Sequence, residues 1–232
     1  MKRILVPLLL LAVLFAAATP GESERVTAPV DHSSLEVRAF RILNGKAANP
    51  VFDAIMPVIT NLRRSRVILI LVWCALVLFG GTKGRWAAFM LIPLLVASDQ
   101  ISSHLIKPLV ERMRPCEVLG GVHLWNGEAW IVTPDVVTKS YKASFSFPSS
   151  HAANITASML FLGLAYRKVL IPLMAVAVLV SYSRIYIGVH WLSDMLYGMA
   201  LGAALAYPAY LIFGRLVTRQ DTGKDPGETQ RP

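Results

Sequence analysis

The chain has 232 residues, of which 55% are hydrophobic and 16% are charged. Soluble domains average about 25% charged residues, so this composition, with a mean hydropathy of +0.54, excludes an ordinary soluble globule and indicates an integral membrane protein. The formal net charge is +9. The basic residues stand mostly at the ends of apolar runs, where they meet lipid headgroups or an anionic substrate rather than nucleic acid. The two cysteines, Cys74 and Cys116, predict no structural disulfide.

The N-terminal stretch, residues 1–19, has Lys2 and Arg3 followed by an apolar run over residues 4–18. A basic start, a short apolar core and small residues at its end fit a cleavable signal peptide as well as a retained first transmembrane helix. We favour the helix. In both cases the basic N-terminus stays in the cytoplasm and the segment that follows is exported, so the expected topology downstream is the same.

The exported segment, residues 20–65, contains no clear membrane span. Around residues 35–46 apolar and basic side chains alternate at roughly helical spacing, and Pro50 breaks the pattern before another apolar stretch. This spacing predicts a helix that lies in the membrane interface. A solvated loop is the alternative.

Five further apolar runs follow, and together with the first they predict an all-α bundle of about six transmembrane helices. They cover residues 67–81, 86–106, 152–166, 169–182 and 195–214. The last run carries small residues that suit close helix packing, namely Gly198, Gly202, Ala203 and Ala206. We assign residues 66–215 to a membrane core and residues 216–232, which are polar and rich in Pro and Gly, to a disordered cytoplasmic tail.

Basic residues in the connections indicate the orientation. With the N-terminus in the cytoplasm, six of them fall on the cytoplasmic side, in agreement with the positive-inside tendency: Lys83, Arg85, Arg167, Lys168, Arg215 and Arg219. Three others fall outside and count against this orientation: Arg63, Arg64 and Arg66. They are too few to reverse six spans. The loops over residues 107–150 and 184–194 then emerge together on the exported face.

Residues suited to phosphate chemistry fall in three stretches next to these runs: residues 107–115 (KPLVERMRP), 148–151 (PSSH) and 183–194 (SRIYIGVHWLSD). Together they supply three cations, a hydroxyl, two imidazoles and a carboxylate, from Lys107, Arg114, Arg184, Ser149, His151, His190 and Asp194. Cations and helix-start amides suit a phosphate dianion, and two imidazoles supply a nucleophile and a proton donor. Taken alone, the third stretch also fits a capped helix start with a snorkelling arginine.

The three motifs together resemble the signature of the type 2 phosphatidic acid phosphatase superfamily, membrane lipid phosphatases that share a helical core with vanadium haloperoxidases. Six residues separate Lys107 from Arg114, five separate Arg184 from His190, and three separate His190 from Asp194. The resemblance covers roughly residues 50–215. The chain departs from the family's usual Pro-Ser-Gly-His at its second motif, where Ser150 replaces the glycine.

The resemblance implies a role for each motif residue. His190 attacks phosphorus and forms a phosphohistidine, while Asp194 holds its other ring nitrogen. His151 protonates the departing oxygen and then activates water. The phosphoryl oxygens are held by Lys107, Arg114, Ser149, the Ser150 amide and Arg184. No metal-ligand cluster accompanies these residues and the family works without a metal, so we predict no metal and no cofactor.

Several other residues are not assigned to the site. Arg112, in the first motif, is expected to be a solvated neighbour in a basic loop. His32, His104 and His123 match no motif position. Trp125, Trp130 and Tyr141, in the exported loop before the PSSH stretch, are typical of an aromatic belt at the membrane interface. A lid over the lipid is the alternative.

The predicted function is metal-independent hydrolysis of a lipid-linked phosphate or diphosphate at the periplasmic face of a bacterial inner membrane. Undecaprenyl diphosphate, phosphatidylglycerol phosphate and lipid A 1-phosphate all fit. The prenyl diphosphate is slightly preferred, because the resemblance to bacterial enzymes of that type extends to the short six-span layout. A phosphotransferase that passes the phosphoryl group from His190 to another lipid is the alternative. A third hypothesis, a lipid carrier or structural membrane protein, predicts that substituting His190 leaves function intact.

Overall fold

The computed structural model describes residues 31–135 and 144–222, without the side chains of residues 62–66 and 219–222. Within this part the chain is mostly helical and contains one short β-hairpin. The N-terminal stretch expected to be a transmembrane helix or signal peptide, residues 1–19, lies outside the described residues.

The described part of the segment expected to be exported, residues 20–65, begins with helix α1 (Leu35–Arg41) and a π-helical turn (Ile42–Lys46). They match the helix predicted over residues 35–46, so the alternative of a solvated loop is wrong. Part of the apolar side of α1 is covered by protein rather than by lipid. Phe40 is fully buried, and its ring centroid lies 5.5 Å from that of Trp191.

Helix α2 (Pro50–Ile59) begins with the proline that was expected to break the preceding pattern. A proline suits the first turn because the N–H that it lacks would be unpaired there. The Asn49 side chain caps the helix by accepting a hydrogen bond from the amide of Phe52 at 3.0 Å. Helix α3 (Leu62–Phe79) follows and contains most of the next predicted apolar run.

A long helical stretch then leads to the first motif. Helix α4 (Gly81–Asp99) continues through a π-helical segment (Gln100–Ile106) into the short helix α5 (Lys107–Val110). Glu111 ends this stretch in the left-handed conformation, with a φ of 49°. π-Helical turns often occur at functional sites, and this one lies directly before Lys107.

The loop after α5 carries a short helix α6 (Pro115–Val118) and an antiparallel hairpin of β1 (His123–Trp125) and β2 (Trp130–Val132). Both tryptophans of the hairpin pack against the buried core. The ring of Trp130 stacks on that of His123 with centroids 4.1 Å apart. These tryptophans therefore contact protein, and their place in an interfacial belt stays a prediction. Tyr141 of the same loop lies outside the described residues.

The C-terminal half consists of helices α7 (Ser150–Ala165), α8 (Leu170–Tyr186) and α9 (Leu192–Thr222). Helices α7 and α9 approach closely, because a Cβ added at Gly202 would lie 2.3 Å from the backbone oxygen of Ala153. The predicted packing role of the small residues is thus confirmed at this position. Because α9 continues to its last described residue, residues 216–222 of the segment predicted to be disordered are helical.

Three stretches of the described residues are long and apolar enough to cross a membrane: Gly81–Val118, Arg167–Tyr186 and Leu192–Thr218. The predicted all-α membrane bundle is confirmed at this level, while the count of six spans stays a prediction. One buried cluster, around Phe161, lies between the helices. Another, around Tyr186, lies at the end of the bundle where the three motifs meet.

Candidate active site

His190 lies in the turn between α8 and α9 and is 1% exposed. Its Nδ1 is 3.3 Å from Oδ2 of Asp194, which is fully buried. Because a carboxylate only accepts hydrogen bonds, these partners assign the ring proton to Nδ1 and the lone pair to Nε2. Helix α9 begins at Leu192, so the two side chains meet across the start of the helix rather than along one helical face.

The other ring nitrogen of His190 faces Arg114, whose NH1 is 3.3 Å from Nε2. The remaining guanidinium donors bind the oxygens of Val189 and Phe145 and both oxygens of Ser144, at 2.8–3.2 Å. Every N–H of Arg114 therefore has an acceptor within the protein. To bind a phosphoryl oxygen, the donor on NH1 has to leave Nε2, which frees the nitrogen lone pair.

The three predicted cations all act on His190. Burial, followed by the charges of Arg114, Arg184 and Lys107, holds the pKa of His190 well below its ordinary value. The imidazole is therefore neutral near pH 7, as a nucleophile has to be. Lys107 and Arg114 are themselves 9% and 4% exposed, so their charges face the protein interior rather than bulk water.

Arg184 reaches the site from α8. Its NH1 donates a hydrogen bond to Oγ1 of Thr60, the residue that ends α2, at 2.7 Å. Its Nε is buried, and it has no hydrogen-bond partner within the described part of the chain. Buried donors in proteins are almost always paired, so this N–H suits an oxygen brought by a ligand.

The PSSH stretch forms the start of α7. Ser149 is the N-cap, and its Oγ accepts a hydrogen bond from the amide of Ala152 at 3.4 Å. Glu111 is the one non-glycine residue with a positive φ in the described ranges, so Ser150 is free of that strain. Its Oγ lies 2.8 Å from Oγ of Ser103 and ties the helix start to the π-helical segment.

His151 follows in the first turn of α7, where the charges of Arg184, Lys107 and Arg114 act on it together with His190. The fold thus brings together the residues of all three motifs, although 87 positions separate Lys107 from Asp194 in the sequence. Their individual roles stay predictions.

The expectation that Arg112 is a solvated neighbour is wrong. Its NH1 donates hydrogen bonds to Oδ1 of Asp194 at 2.9 Å and to Oγ of Ser193 at 2.6 Å. Its NH2 donates to the Glu36 carboxylate, and its guanidinium lies over the ring of Trp191, 5.2 Å from the centroid. Arg112 therefore links helix α1 to the carboxylate that holds His190.

Sequence reasoning also missed two groups that hold Asp194. The Oγ of Ser146 and the amide of Trp191 both donate to its Oδ2, the latter at 2.8 Å. Asp194 is the third residue of α9, so its contact with the amide of Trp191 follows the capping-box pattern of a helix start. No sequence pattern marks the contact with Ser146, which lies 48 positions away. Across the described residues, no group of three or more His, Cys, Asp or Glu side chains is placed to hold a metal ion.

The fold and the site together match a known family. The sequence profile of the PAP2 superfamily matches residues 88–217, which is more than half of the chain and includes all three motifs. The chain belongs to the PAP2 superfamily, as the resemblance of the motifs predicted. The enzyme class expected from the motifs, a lipid phosphatase, is confirmed at the level of the family.

The curated relatives carry the names of lipid phosphatases. Phosphatidylglycerophosphatase B of Bacillus subtilis is 27% identical over 173 residues, which cover 68% of this chain and 73% of that protein. The lipid A 4'-phosphatase of Bacteroides thetaiotaomicron is 31% identical over 57% of this chain and 59% of its own length. The undecaprenyl-diphosphatase of Sulfolobus acidocaldarius is 36% identical over 33% of this chain and 37% of its own length. The chain thus spans well under two thirds of the last two.

Two solved structures have a similar fold. One is the transmembrane PAP2 type phosphatidylglycerolphosphate phosphatase of Bacillus subtilis, with a TM-score of 0.56 and 22% identity over 98% of this chain and 100% of that one. The other is LpxE of Aquifex aeolicus, with a TM-score of 0.52 and 19% identity over 81% of this chain and 99% of that one. This chain is therefore a multi-pass membrane protein with the PAP2 fold.

Proposed function

We propose that this chain hydrolyses a lipid-linked phosphate or diphosphate through a phosphohistidine on His190, at the periplasmic face of a bacterial inner membrane. The observation that carries the proposal is the arrangement of one imidazole between two partners. Asp194 accepts from Nδ1 at 3.3 Å, and a cation faces Nε2 at 3.3 Å. A neutral imidazole held in this tautomer is a nucleophile aimed at an anion site.

In the first step, Nε2 of His190 attacks phosphorus, and the bond from phosphorus to the leaving oxygen breaks. His151 gives its proton to that oxygen, which departs with the lipid. Lys107, Arg114 and Arg184 hold the phosphoryl oxygens as charge builds on them in the transition state. The buried, unpaired Nε of Arg184 supports this assignment, because a phosphoryl oxygen supplies its missing acceptor.

In the second step, a water molecule attacks the phosphohistidine, and His151 takes the proton from that water. The nitrogen–phosphorus bond breaks and inorganic phosphate leaves. Burial, followed by the charges of Arg184, His190, Lys107 and Arg114, lowers the pKa of His151 and disfavours its protonated form. A bound phosphate dianion offsets most of the positive charge of Lys107, Arg114 and Arg184, so substrate binding itself raises the pKa of His151 towards the acid form that the first step needs.

The position of the motifs in the helices supports the proposed orientation. They stand at the C-terminal end of α8, at the N-terminal ends of α7 and α9, and at α5, which places them at one end of the bundle. The basic connections expected in the cytoplasm, around Lys83 and Arg167, lie at the other ends of these helices. This distribution of charge supports a periplasmic site.

The test is phosphate release by the purified protein in detergent from three lipids: undecaprenyl diphosphate, phosphatidylglycerol phosphate and lipid A 1-phosphate. Wild type and His32→Gln, a histidine substitution at an exposed position, are expected to release phosphate, and His190→Gln is not. Release from none of the lipids by wild type, or equal release by His190→Gln, contradicts the proposal. A labelled lipid product without free phosphate selects the phosphotransferase instead.

A further inference from the structure

We propose that Glu36 and Arg112 are positioning residues that hold Asp194 in the orientation that His190 needs to attack phosphorus. The inference rests on the proposed function, because it assigns roles in the same phosphoryl transfer. Glu36 lies in the exported helix α1, outside the three motifs, and Arg112 lies in the loop after α5 at a position that the motif leaves open. The two residues connect the exported segment to the nucleophile.

Three side chains form a closed ring of hydrogen bonds, which we call the Glu36 ring: Glu36, Arg112 and Ser193. NH1 of Arg112 donates to Oγ of Ser193 at 2.6 Å, and the hydroxyl of Ser193 donates to Oε1 of Glu36. NH2 of Arg112 donates to Oε2 of Glu36. Each member of the ring is therefore bonded to the other two, which fixes the plane of the Arg112 guanidinium.

The Glu36 ring acts on the nucleophile through Asp194. NH1 of Arg112 also donates to Oδ1 of Asp194 at 2.9 Å, while Oδ2 of the same carboxylate faces Nδ1 of His190 at 3.3 Å. A carboxylate is planar, so a fixed contact at Oδ1 sets the direction of the lone pairs on Oδ2. The ring thereby sets the direction in which the His190 imidazole is held.

Charge balance gives Glu36 a role beyond holding Arg112 in place. Asp194 is fully buried and needs a compensating cation, but a cation on Oδ1 also weakens the carboxylate as an acceptor for His190. Glu36 offsets the charge of Arg112, so the group of Glu36, Arg112 and Asp194 keeps one formal negative charge. That charge stabilises the imidazole ring as it becomes positive during bond formation to phosphorus.

Helix α1 has other anchors, so Glu36 can be changed while the helix stays docked. Phe40 packs against the ring of Trp191. Nδ2 of Asn44 donates to the backbone oxygens of Tyr186 at 2.7 Å and His123 at 2.8 Å. Glu36→Gln keeps the size of the side chain and these anchors, and it removes the charge that offsets Arg112.

The experiment measures kcat, KM and the rate of phosphoenzyme formation for wild type, Glu36→Gln and Arg112→Lys. Glu128→Gln, an exposed position in the turn of the hairpin, is the matched control for the loss of a carboxylate on the same face. We expect Glu36→Gln to lower kcat about tenfold, the size of one charge-assisted hydrogen bond, with KM unchanged because Glu36 is not a phosphate ligand. Arg112→Lys is expected to lower kcat further than Glu36→Gln does, since an ammonium cannot bridge the carboxylates of Glu36 and Asp194 as the guanidinium fork does.

A double-mutant cycle separates this role from general stability. If Glu36 acts through Asp194, Glu36→Gln lowers kcat in the wild-type background and causes no further loss in the Asp194→Asn background. The same fold loss in both backgrounds, or a wild-type kcat in Glu36→Gln, overturns the inference.

A second readout does not depend on turnover. In nuclear magnetic resonance spectra of histidine-labelled protein, the proton on Nδ1 of His190 is expected to shift in Glu36→Gln and to stay unchanged in Glu128→Gln. Absence of that shift contradicts the positioning role. If neither wild type nor Glu128→Gln releases phosphate, the proposed function fails instead, and the resonance of His190 still decides whether Glu36 acts on it.

Discussion

The backbone amide of Ser149 donates a hydrogen bond to the backbone oxygen of Asp194 at 3.0 Å. This contact joins the N-terminal ends of α7 and α9, and it holds the second motif against the third independently of any side chain. This hydrogen bond can form because small residues on α9 allow α7 and α9 to approach closely. A Cβ added at Gly198 would lie 2.5 Å from the backbone oxygen of Ser149.

The approach of α7 and α9 predicts opposite effects for two glycine substitutions in α9. Gly202→Ala places its Cβ 2.3 Å from the Ala153 oxygen, and overpacking of this kind costs about 1–3 kcal/mol in the free energy of unfolding. At Gly214 an added Cβ meets nothing within 4 Å, so Gly214→Ala is expected to be neutral or to stabilise by up to about 1 kcal/mol. Thermal unfolding in detergent measures the stability of both variants. Equal midpoints for Gly202→Ala and Gly214→Ala contradict the packing argument.

The proposed orientation predicts which residues a reagent reaches from the periplasmic side of the membrane. In a background of Cys74→Ala and Cys116→Ala, Glu128→Cys in the hairpin turn is expected to react with a membrane-impermeant thiol reagent in intact spheroplasts. Arg215→Cys, near the end of α9, is expected to react only after lysis. The reverse pattern means that the site faces the cytoplasm.

Metal independence is expected because Lys107, Arg114 and Arg184 supply the charge that metal ions supply in other phosphatases. Phosphate release should be unchanged by EDTA. Vanadate should inhibit, since it takes the five-coordinate geometry of phosphorus in the transition state. Loss of turnover on chelation, restored by Mg²⁺, contradicts this part of the mechanism.

The state of His190 predicts a pH dependence. Burial and three neighbouring cations lower its pKa, so the imidazole should stay neutral as the pH falls through about 6.5, the ordinary histidine value. Lys107→Met removes one of these cations. Because less positive charge then opposes protonation of the imidazole, the pKa of His190 should rise towards the ordinary value. The resonances of labelled histidine, assigned to His190 by their loss in His190→Gln, measure its pKa in wild type and in Lys107→Met. Titration of His190 near 6.5 in wild type contradicts the electrostatic account.

The lowered pKa of His190 also makes the stability of the folded protein depend on pH. Because the pKa of His190 is lower in the folded protein than in the unfolded chain, the unfolded state gains the proton first as pH falls. The free energy of unfolding attributable to His190 is therefore complete above about pH 6.5 and decreases below it. Thermal unfolding between pH 8 and 5.5 should show a smaller loss of stability in His190→Gln than in wild type.

Sequence patterns predicted those features that depend on residues close together in the chain. The helical runs follow from apolar periodicity, and the start of α7 follows from the serines of PSSH. The motif residues were found because their spacings within each stretch are short, such as the three residues between His190 and Asp194.

The contacts that were missed join distant parts of the chain. Arg112 and Glu36 are 76 positions apart, and Arg184 and Thr60 are 124 apart. A basic residue in a loop has many possible acidic partners, and only the docking of α1 on the bundle selects Glu36. For the same reason the spacing of residues 35–46 predicted a helix, but it did not show that protein covers part of its apolar side.

The most direct test of the account is to trap the phosphoenzyme in the two histidine variants. Wild type, His190→Gln and His151→Gln react with a ³²P-labelled p-nitrophenyl ester and are quenched without acid, which preserves the nitrogen–phosphorus bond. The leaving group needs little help from an acid, so His151→Gln should still form the phosphoenzyme, and it should persist because water activation is lost. His190→Gln should form none. A stable phosphoenzyme in His190→Gln that is absent in His151→Gln contradicts the account and shows that the two roles are reversed.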